Sequence, residues 1–138
     1  MGTGNERPRG EVIAAISTRV VQLHSRYYGK GPTKAKTHLV DDTVICLLRG
    51  GFTRVERTLI DQGQVEAVHD IRHSFQKAME DHFREIIESA TGRKVIAYMS
   101  QIHEDPEIAM ELFVLEPVED ETGALESEGG RPAAESEV

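Results

Sequence analysis

Short connections between strand-like segments limit the topology of this chain. Residues 34–40 alternate in side-chain character, and residues 43–48, "TVICLL", are β-branched or apolar. Only Asp41 and Asp42 separate these two predicted strands, and aspartates favour tight turns. Parallel strands need a crossover connection of a dozen or more residues. The two strands are therefore predicted to pair as an antiparallel hairpin.

A second hairpin is predicted near the end of the folded part. Residues 94–101 and 109–115 form two further strand-like runs, and the loop between them, "IHEDPEI", contains Pro106. This loop is again too short for a crossover helix. The second pair of strands is therefore also predicted to be antiparallel.

Helices are predicted before and between the two hairpins. Apolar residues recur at helical spacing over 11–28, and the segment ends at Gly29 with Pro32 close behind. Thr53 and Glu56 have the spacing of a capping box, which predicts a short helix to about residue 61. One long helix is predicted over 64–90, stopped by Gly92. Its apolar spine comprises Val65, Val68, Ile71, Phe75, Met79, Phe83, Ile86 and Ala90.

The element order α-β-β-α-α-β-β predicts an α+β fold, with an antiparallel four-stranded sheet and helices packed on one face. We expect a single domain over residues 11–116. Residues 1–10 are predicted to be a flexible segment. Residues 117–138 are predicted to be a disordered acidic tail, because they are too polar to offset their ordering entropy.

The distribution of charge limits the class of partner. Of the net charge of −8, −7 falls from Glu116 onward, so the folded body is nearly neutral and no nucleic-acid partner is expected. No apolar run approaches the ~20 residues that cross a bilayer, so no membrane insertion is expected. No secretion leader is recognisable, and the single cysteine, Cys46, cannot form an internal disulfide. A cytoplasmic protein is the expectation.

The stretch "GKGP" at residues 29–32 permits two interpretations. It can be a helix stop, with Gly29 in a left-handed conformation and Pro32 preventing the helix from resuming. It can also be a small anion-binding site, because glycine backbone N–H groups form nests for phosphate and lysines are close by. The candidate ligand-binding residues are Gly29, Lys30, Gly31, Lys34 and Lys36, with Arg26 nearby.

Other reactive residues give weaker patterns. His69 and His73 are four residues apart on a predicted helix, but "HDIRH" lacks the central Glu of a zinc-protease helix and no third ligand is evident. Cys46 lies within a predicted strand, where a thiol usually acts as a small buried apolar group. We expect no catalytic residue, no metal and no cofactor.

The segments "YYGKGPTKAKTHLVDDTVICLLRGGFTRVERTL" and "ATGRKV" together resemble the MpsC family. The family is named for the third component of a bacterial sodium-translocating membrane-potential-generating system. The resemblance spans roughly Ile13 to Leu115 and includes Gly92 and Arg93 of the second segment. The "IHEDPEI" loop and the acidic tail depart from the family pattern.

The resemblance implies a small soluble protein that serves as an accessory or interaction component of a membrane cation or inorganic-carbon transport system. An enzyme is not expected, because the sequence has no catalytic motif. It would be cytoplasmic and reach the membrane only through partner transport subunits. The alternative is a stand-alone module that binds a small anion through the basic GKGP loop. Homodimerisation is also expected, because the edges of a small open sheet tend to pair with other chains.

Overall fold

The two predicted hairpins meet in one sheet. The computed structural model describes residues 7–118. Within them β1 (Lys34–Val40) pairs with β2 (Thr43–Arg49), and β3 (Val95–His103) pairs with β4 (Ile108–Leu115). β2 also pairs with β4, so the strand order is β1-β2-β4-β3 and every pair is antiparallel. The predicted α+β fold with a four-stranded antiparallel sheet is confirmed.

Four helices accompany this sheet in the described part of the chain: α1 (Arg9–Tyr28), α2 (Arg54–Asp61), α3 (Val65–Ala78) and α4 (Glu80–Thr91). The capping box of α2 is present, because Thr53 Oγ1 accepts from the Glu56 N–H and Glu56 Oε1 accepts from the Thr53 N–H. α1 begins at Arg9, so Arg9 and Gly10 belong to this helix rather than to a flexible segment.

The predicted long helix over 64–90 is two helices, because the chain leaves helical geometry at Met79, where φ is −100° and ψ is 6°. In α3 the buried side chains are those of Val68, Arg72 and Gln76, so the predicted apolar spine is wrong at Ile71, which is 45% exposed. Arg72 is buried in its place, at 2% exposure. Helical periodicity of apolar residues could not predict a buried arginine.

The core lies between the helices and one face of the sheet. β2 and β4 turn Val44, Leu48 and Phe113 toward the helices, where they meet side chains such as Ile16 of α1 and Phe83 of α4. Alternate residues of a strand point to opposite faces, so one complete set of side chains from the sheet enters this core. The helices thus cover a single face of the sheet.

A polar row crosses the middle of the covered face. The register places Thr37 of β1 beside Cys46 of β2, Cys46 beside Glu111 of β4, and Glu111 beside Ser100 of β3. Thr37, Cys46 and Glu111 are each 5% exposed or less. The core of this small domain therefore contains a carboxyl group in the centre of its sheet.

The outer parts of the sequence lie outside the described residues. Most of the predicted acidic tail, residues 119–138, and residues 1–6 of the predicted N-terminal segment belong to this part. Within residues 7–118, none of the helices combines the length and apolar character that crossing a bilayer requires.

Candidate functional site

The GKGP loop ends α1 in the manner that the sequence predicts. Gly29 has a φ of 80°, and its N–H donates to the Ser25 carbonyl at 3.0 Å. A Cβ on Gly31 would lie 2.0 Å from the Ser25 Oγ, so the loop packs closely on the last turn of the helix. The helix-stop interpretation is therefore confirmed, and the Gly29 N–H is engaged within the chain.

Gly29→Ala is expected to lower the free energy of unfolding by roughly 1 kcal/mol, because a residue with a Cβ disfavours positive φ. A Cβ at this position would meet no heavy atom within 4 Å, so the loss reports backbone strain alone. Urea denaturation measures it, with Lys30→Ala, at the adjacent exposed position, as the matched control. Equal stability of both variants and the wild type would contradict a strained helix end.

The candidate cations do not all gather at the loop. Lys34 and Lys36 are exposed on β1, and the register places Lys34 opposite Arg49 of β2. Arg26 lies instead in a groove between α1 and α4, with its guanidinium carbon 5.5 Å from the centre of the Tyr27 ring. Anion binding by the loop stays a prediction. It requires that phosphate raise the melting temperature of the wild type more than that of Lys30→Ala.

Gly92 and Arg93, the other positions singled out by the sequence, end α4 and join it to the sheet. Gly92 has a φ of 72° and caps the helix. Arg93 Nη2 lies 2.5 Å from Asp42 Oδ1, in the turn of the first hairpin, and donates to the Glu116 carbonyl at 3.0 Å. These contacts give Arg93 a structural role at one end of the sheet.

A buried ion pair joins α2 to α3. Arg72 Nε and Nη2 each donate to a different oxygen of Glu56 at 2.7 Å, and both side chains are at most 4% exposed. Burial alone raises the pKa of Glu56, but hydrogen bonds from Arg72 and from the Thr53 N–H outweigh it and hold that pKa below its usual value. Glu56 therefore remains charged, with its partner and its capping role both satisfied.

The Arg72 guanidinium is also enclosed by aromatic rings. Its central carbon lies 4.2 Å from the centre of the Tyr28 ring and 4.8 Å from that of Phe52. Cation–π contacts of this kind strengthen when they are desolvated. Arg72 Nη2 further donates to the Gly51 carbonyl at 3.3 Å. Arg72 thus connects the end of α1, the segment after β2 and α2.

A second cluster of buried polar side chains surrounds Glu111. The Tyr98 hydroxyl donates to Glu111 Oε1 at 2.7 Å, and His24 Nε2 lies 3.7 Å from Oε2, which finds no hydrogen-bond partner in the described chain. His24 Nδ1 is 3.0 Å from the Val20 carbonyl, so in the neutral ring Nδ1 carries the proton. Nε2 then presents its lone pair to the carboxyl group, which suits a protonated Glu111.

Burial governs the protonation of both groups. It raises the pKa of Glu111 to about 7 and lowers the pKa of His24 to about 4, because each charged form loses hydration in the core. Burial also raises the pKa of the Tyr98 hydroxyl. The interior therefore favours the uncharged forms of all three groups. Local sequence patterns did not indicate this cluster, although Glu111 interrupts the apolar run "AMELFVL".

The remaining reactive residues occupy ordinary structural positions. Cys46 is 1% exposed, and burial raises the pKa of its thiol to about 12, so it is a poor nucleophile. His69 contacts Glu104 in the loop between β3 and β4. Within residues 7–118 no group of three or more His, Cys, Asp or Glu side chains is arranged to hold a metal ion.

The second face of the sheet is uncovered in the described chain, and we call it the open face. Its centre is aliphatic, and the alternate residues of β2 and β4 point to the covered face, where they are buried. The outward residues of the open face are Lys34, Lys36, His38 and Val40 on β1 and Thr43, Ile45, Leu47 and Arg49 on β2. On β4 they are Ile108, Met110, Leu112 and Val114, and on β3 they are Ala97, Met99, Gln101 and His103.

The sequence contained a signal for this surface. The strands β2 and β4 have largely apolar runs, "TVICLL" and "AMELFVL", the second interrupted by Glu111, rather than a strict alternation of apolar and polar residues. Continuous runs are typical of strands that are buried on both faces. In this chain the helices bury only one of those faces.

Comparison with known proteins agrees with the family resemblance. The chain is 25% identical over 100 residues to the uncharacterized protein YbcI of Bacillus subtilis (strain 168), covering 70% of this chain and 79% of YbcI. No solved structure matches the chain. Residues 8–117 match the sequence profile of the family described as "Na+-translocating membrane potential-generating system (MpsC)". That match covers most of the chain, including all eight helices and strands, and the chain therefore belongs to the MpsC family.

Proposed function

We propose that this protein is a non-enzymatic accessory component of a membrane system that moves cations and generates a membrane potential. The family match over residues 8–117 carries the proposal, because the family is described by such a system. The protein works at the cytoplasmic side of the membrane and reaches it by binding transport subunits. Its contribution is contact with other proteins rather than a chemical step.

The polar groups of the described residues support a role without catalysis. Arg72 and Glu56 satisfy each other inside the core, and the Cys46 thiol is buried with a raised pKa. Glu111 is fully buried beneath the helices, at 0% exposure. A catalytic group must reach its substrate, whereas these groups face the interior. The face of the sheet that the helices leave uncovered is largely aliphatic, and such a surface suits protein–protein contact.

Affinity purification from the native cell tests this function. The tagged full-length protein is expressed at its normal level, the membrane fraction is solubilised in a mild detergent, and the co-purifying proteins are identified by mass spectrometry. Integral membrane transport subunits are expected to co-purify. The tag alone is the background control, and an excess of untagged protein added before capture should displace the subunits.

Recovery of no integral membrane protein above the background of the tag would contradict the accessory role. Recovery of transport subunits that untagged protein fails to displace would also count against it, because specific binding is saturable. The purification does not depend on the oligomeric state of the protein, so its outcome is separate from that of the experiment below.

A further inference from the structure

The open face has the composition of an interior. The outward residues at its centre are Ile45, Leu47, Met110 and Leu112, two from each of the central strands. At the β3 side the aliphatic surface continues to Met99, which is 51% exposed. The four central residues are partly exposed, and a contiguous accessible apolar surface of this kind marks an interaction site on a protein that stays in water.

The size of this face approaches that of a stable interface. Four strands about 4.8 Å apart, paired over about seven residues at about 3.3 Å per residue, project an area of about 450 Å². Two such faces in contact cover about 900 Å² in projection, and their accessible area is larger because side chains stand out from the sheet. Specific interfaces begin at about 1,200 Å² in total. Face-to-face packing of two sheets therefore comes close to the area of a specific interface.

The charges on the open face suit a symmetric pair. Lys34, Lys36 and Arg49 lie at the β1 side, whereas the β3 side presents Met99 and Gln101. A two-fold axis parallel to the strands places β1 of one copy over β3 of the other. Lys36 of each copy then lies over Gln101 of the partner and Lys34 over His103, so lysine and arginine side chains do not face one another, and the aliphatic centres meet. Lysines on an edge strand also discourage the edge-to-edge pairing that the sequence alone had suggested.

We propose that two copies of this chain pack with their open faces together and form a homodimer with a two-layer sheet core. The acidic tail is a poor alternative cover, because from residue 119 onward its aliphatic residues larger than alanine are only Leu125 and Val138. The central strands are largely apolar on both faces. In the dimer the helices cover one face and the partner's sheet covers the other. This inference is independent of the proposed function, since it rests on the sheet alone.

Sedimentation velocity of the full-length chain at micromolar concentration tests the proposal. The wild type is expected to sediment as a dimer. Leu112→Lys places an ammonium group at the centre of the interface and should raise the dissociation constant at least about 30-fold, as the loss of an interface hot spot does. The matched control is Ile71→Lys, the same chemical change at a residue 45% exposed on the helical side, which should remain a dimer.

Met99→Lys covers the case in which Leu112→Lys fails to fold by circular dichroism, because Met99 is already half exposed. It should also weaken the dimer while retaining the fold. A wild type that sediments as a monomer would overturn the proposal. In that case a membrane partner or the tail, rather than a second copy, covers the open face. A dimer that survives both open-face substitutions, or one that Ile71→Lys also disrupts, would overturn it equally.

Discussion

Arg72→Met is expected to lower the free energy of unfolding by about 3–5 kcal/mol, because it leaves the Glu56 carboxylate buried without its partner. Both side chains are at most 4% exposed, so water cannot replace the lost hydrogen bonds in the native packing. The methionine retains much of the volume between Tyr28 and Phe52. Urea denaturation at neutral pH measures the loss as a shift of the midpoint.

The double variant Arg72→Met/Glu56→Gln is the matched control for this prediction. Glutamine removes the buried charge but still completes a capping box with Thr53. Most of the lost stability should return, because replacing a buried ion pair by uncharged groups is often close to neutral. If the double variant is as unstable as the single one, packing around Arg72 matters more than the unpaired carboxylate.

Separating His24 from Glu111 by mutation should reveal two opposite dependences of stability on pH. In His24→Leu, Glu111 remains with a native pKa of about 7 against an ordinary value of 4.5. The native state then holds more protons than the unfolded state, so stability falls as the pH rises from about 4.5 to about 7. The expected loss is about 3 kcal/mol across that range.

Glu111→Gln should behave in the reverse manner. His24 remains with a native pKa of about 4 against an ordinary value of 6.5. The unfolded state now binds more protons, so stability falls as the pH drops from about 6.5 to about 4, again by about 3 kcal/mol. In the wild type the two slopes largely cancel between pH 4.5 and 6.5.

Urea titrations of the wild type and both variants at half-unit steps of pH measure these slopes. Each variant should depend more steeply on pH than the wild type over its own range, and the two slopes should have opposite signs. Three parallel curves would show that neither group is confined to its uncharged form in the core. Far-UV circular dichroism at each pH confirms that the starting state is folded.

The sequence predicted the hairpins correctly because their determinants are local. Asp41 and Asp42 form the tight turn, where Asp41 has a φ of 53°, and the bounds of β1 follow from its side-chain alternation. Helix ends were equally local, since Gly29 and Gly92 both adopt positive φ. Features that depend on a few neighbouring residues can be inferred without knowing what surrounds them.

The failures involve partners that are distant along the chain. Ile71 was expected in the core, but Arg72 is buried there because Glu56, sixteen residues earlier, neutralises it. His24 of α1 and Glu111 of β4 are distant in the sequence and come together only in the folded chain. Hydropathy assigns charged residues to the surface, so no periodicity of apolar residues indicates where opposite charges will meet in the interior.

The candidate site was only partly accessible to sequence reasoning. The GKGP loop was identified as a helix stop, but Lys34 and Lys36 lie on the strand beyond it, where Lys34 is opposite Arg49. The open face was not predicted, because whether an apolar sheet face is covered depends on where every helix packs. Local sequence does not show this. Continuous apolar runs predict strands with two apolar faces, but they do not specify what covers each of them.

The single cysteine can serve as a chemical probe of how readily the core of the protein opens. Cys46 lies in a central strand beneath the helices and is 1% exposed, so a thiol reagent can reach it only when the core separates. The rate of modification in native buffer therefore reports the free energy of that separation without denaturant. Because the native thiol is protected, a cysteine added at the surface can carry a fluorophore while the wild-type core stays intact.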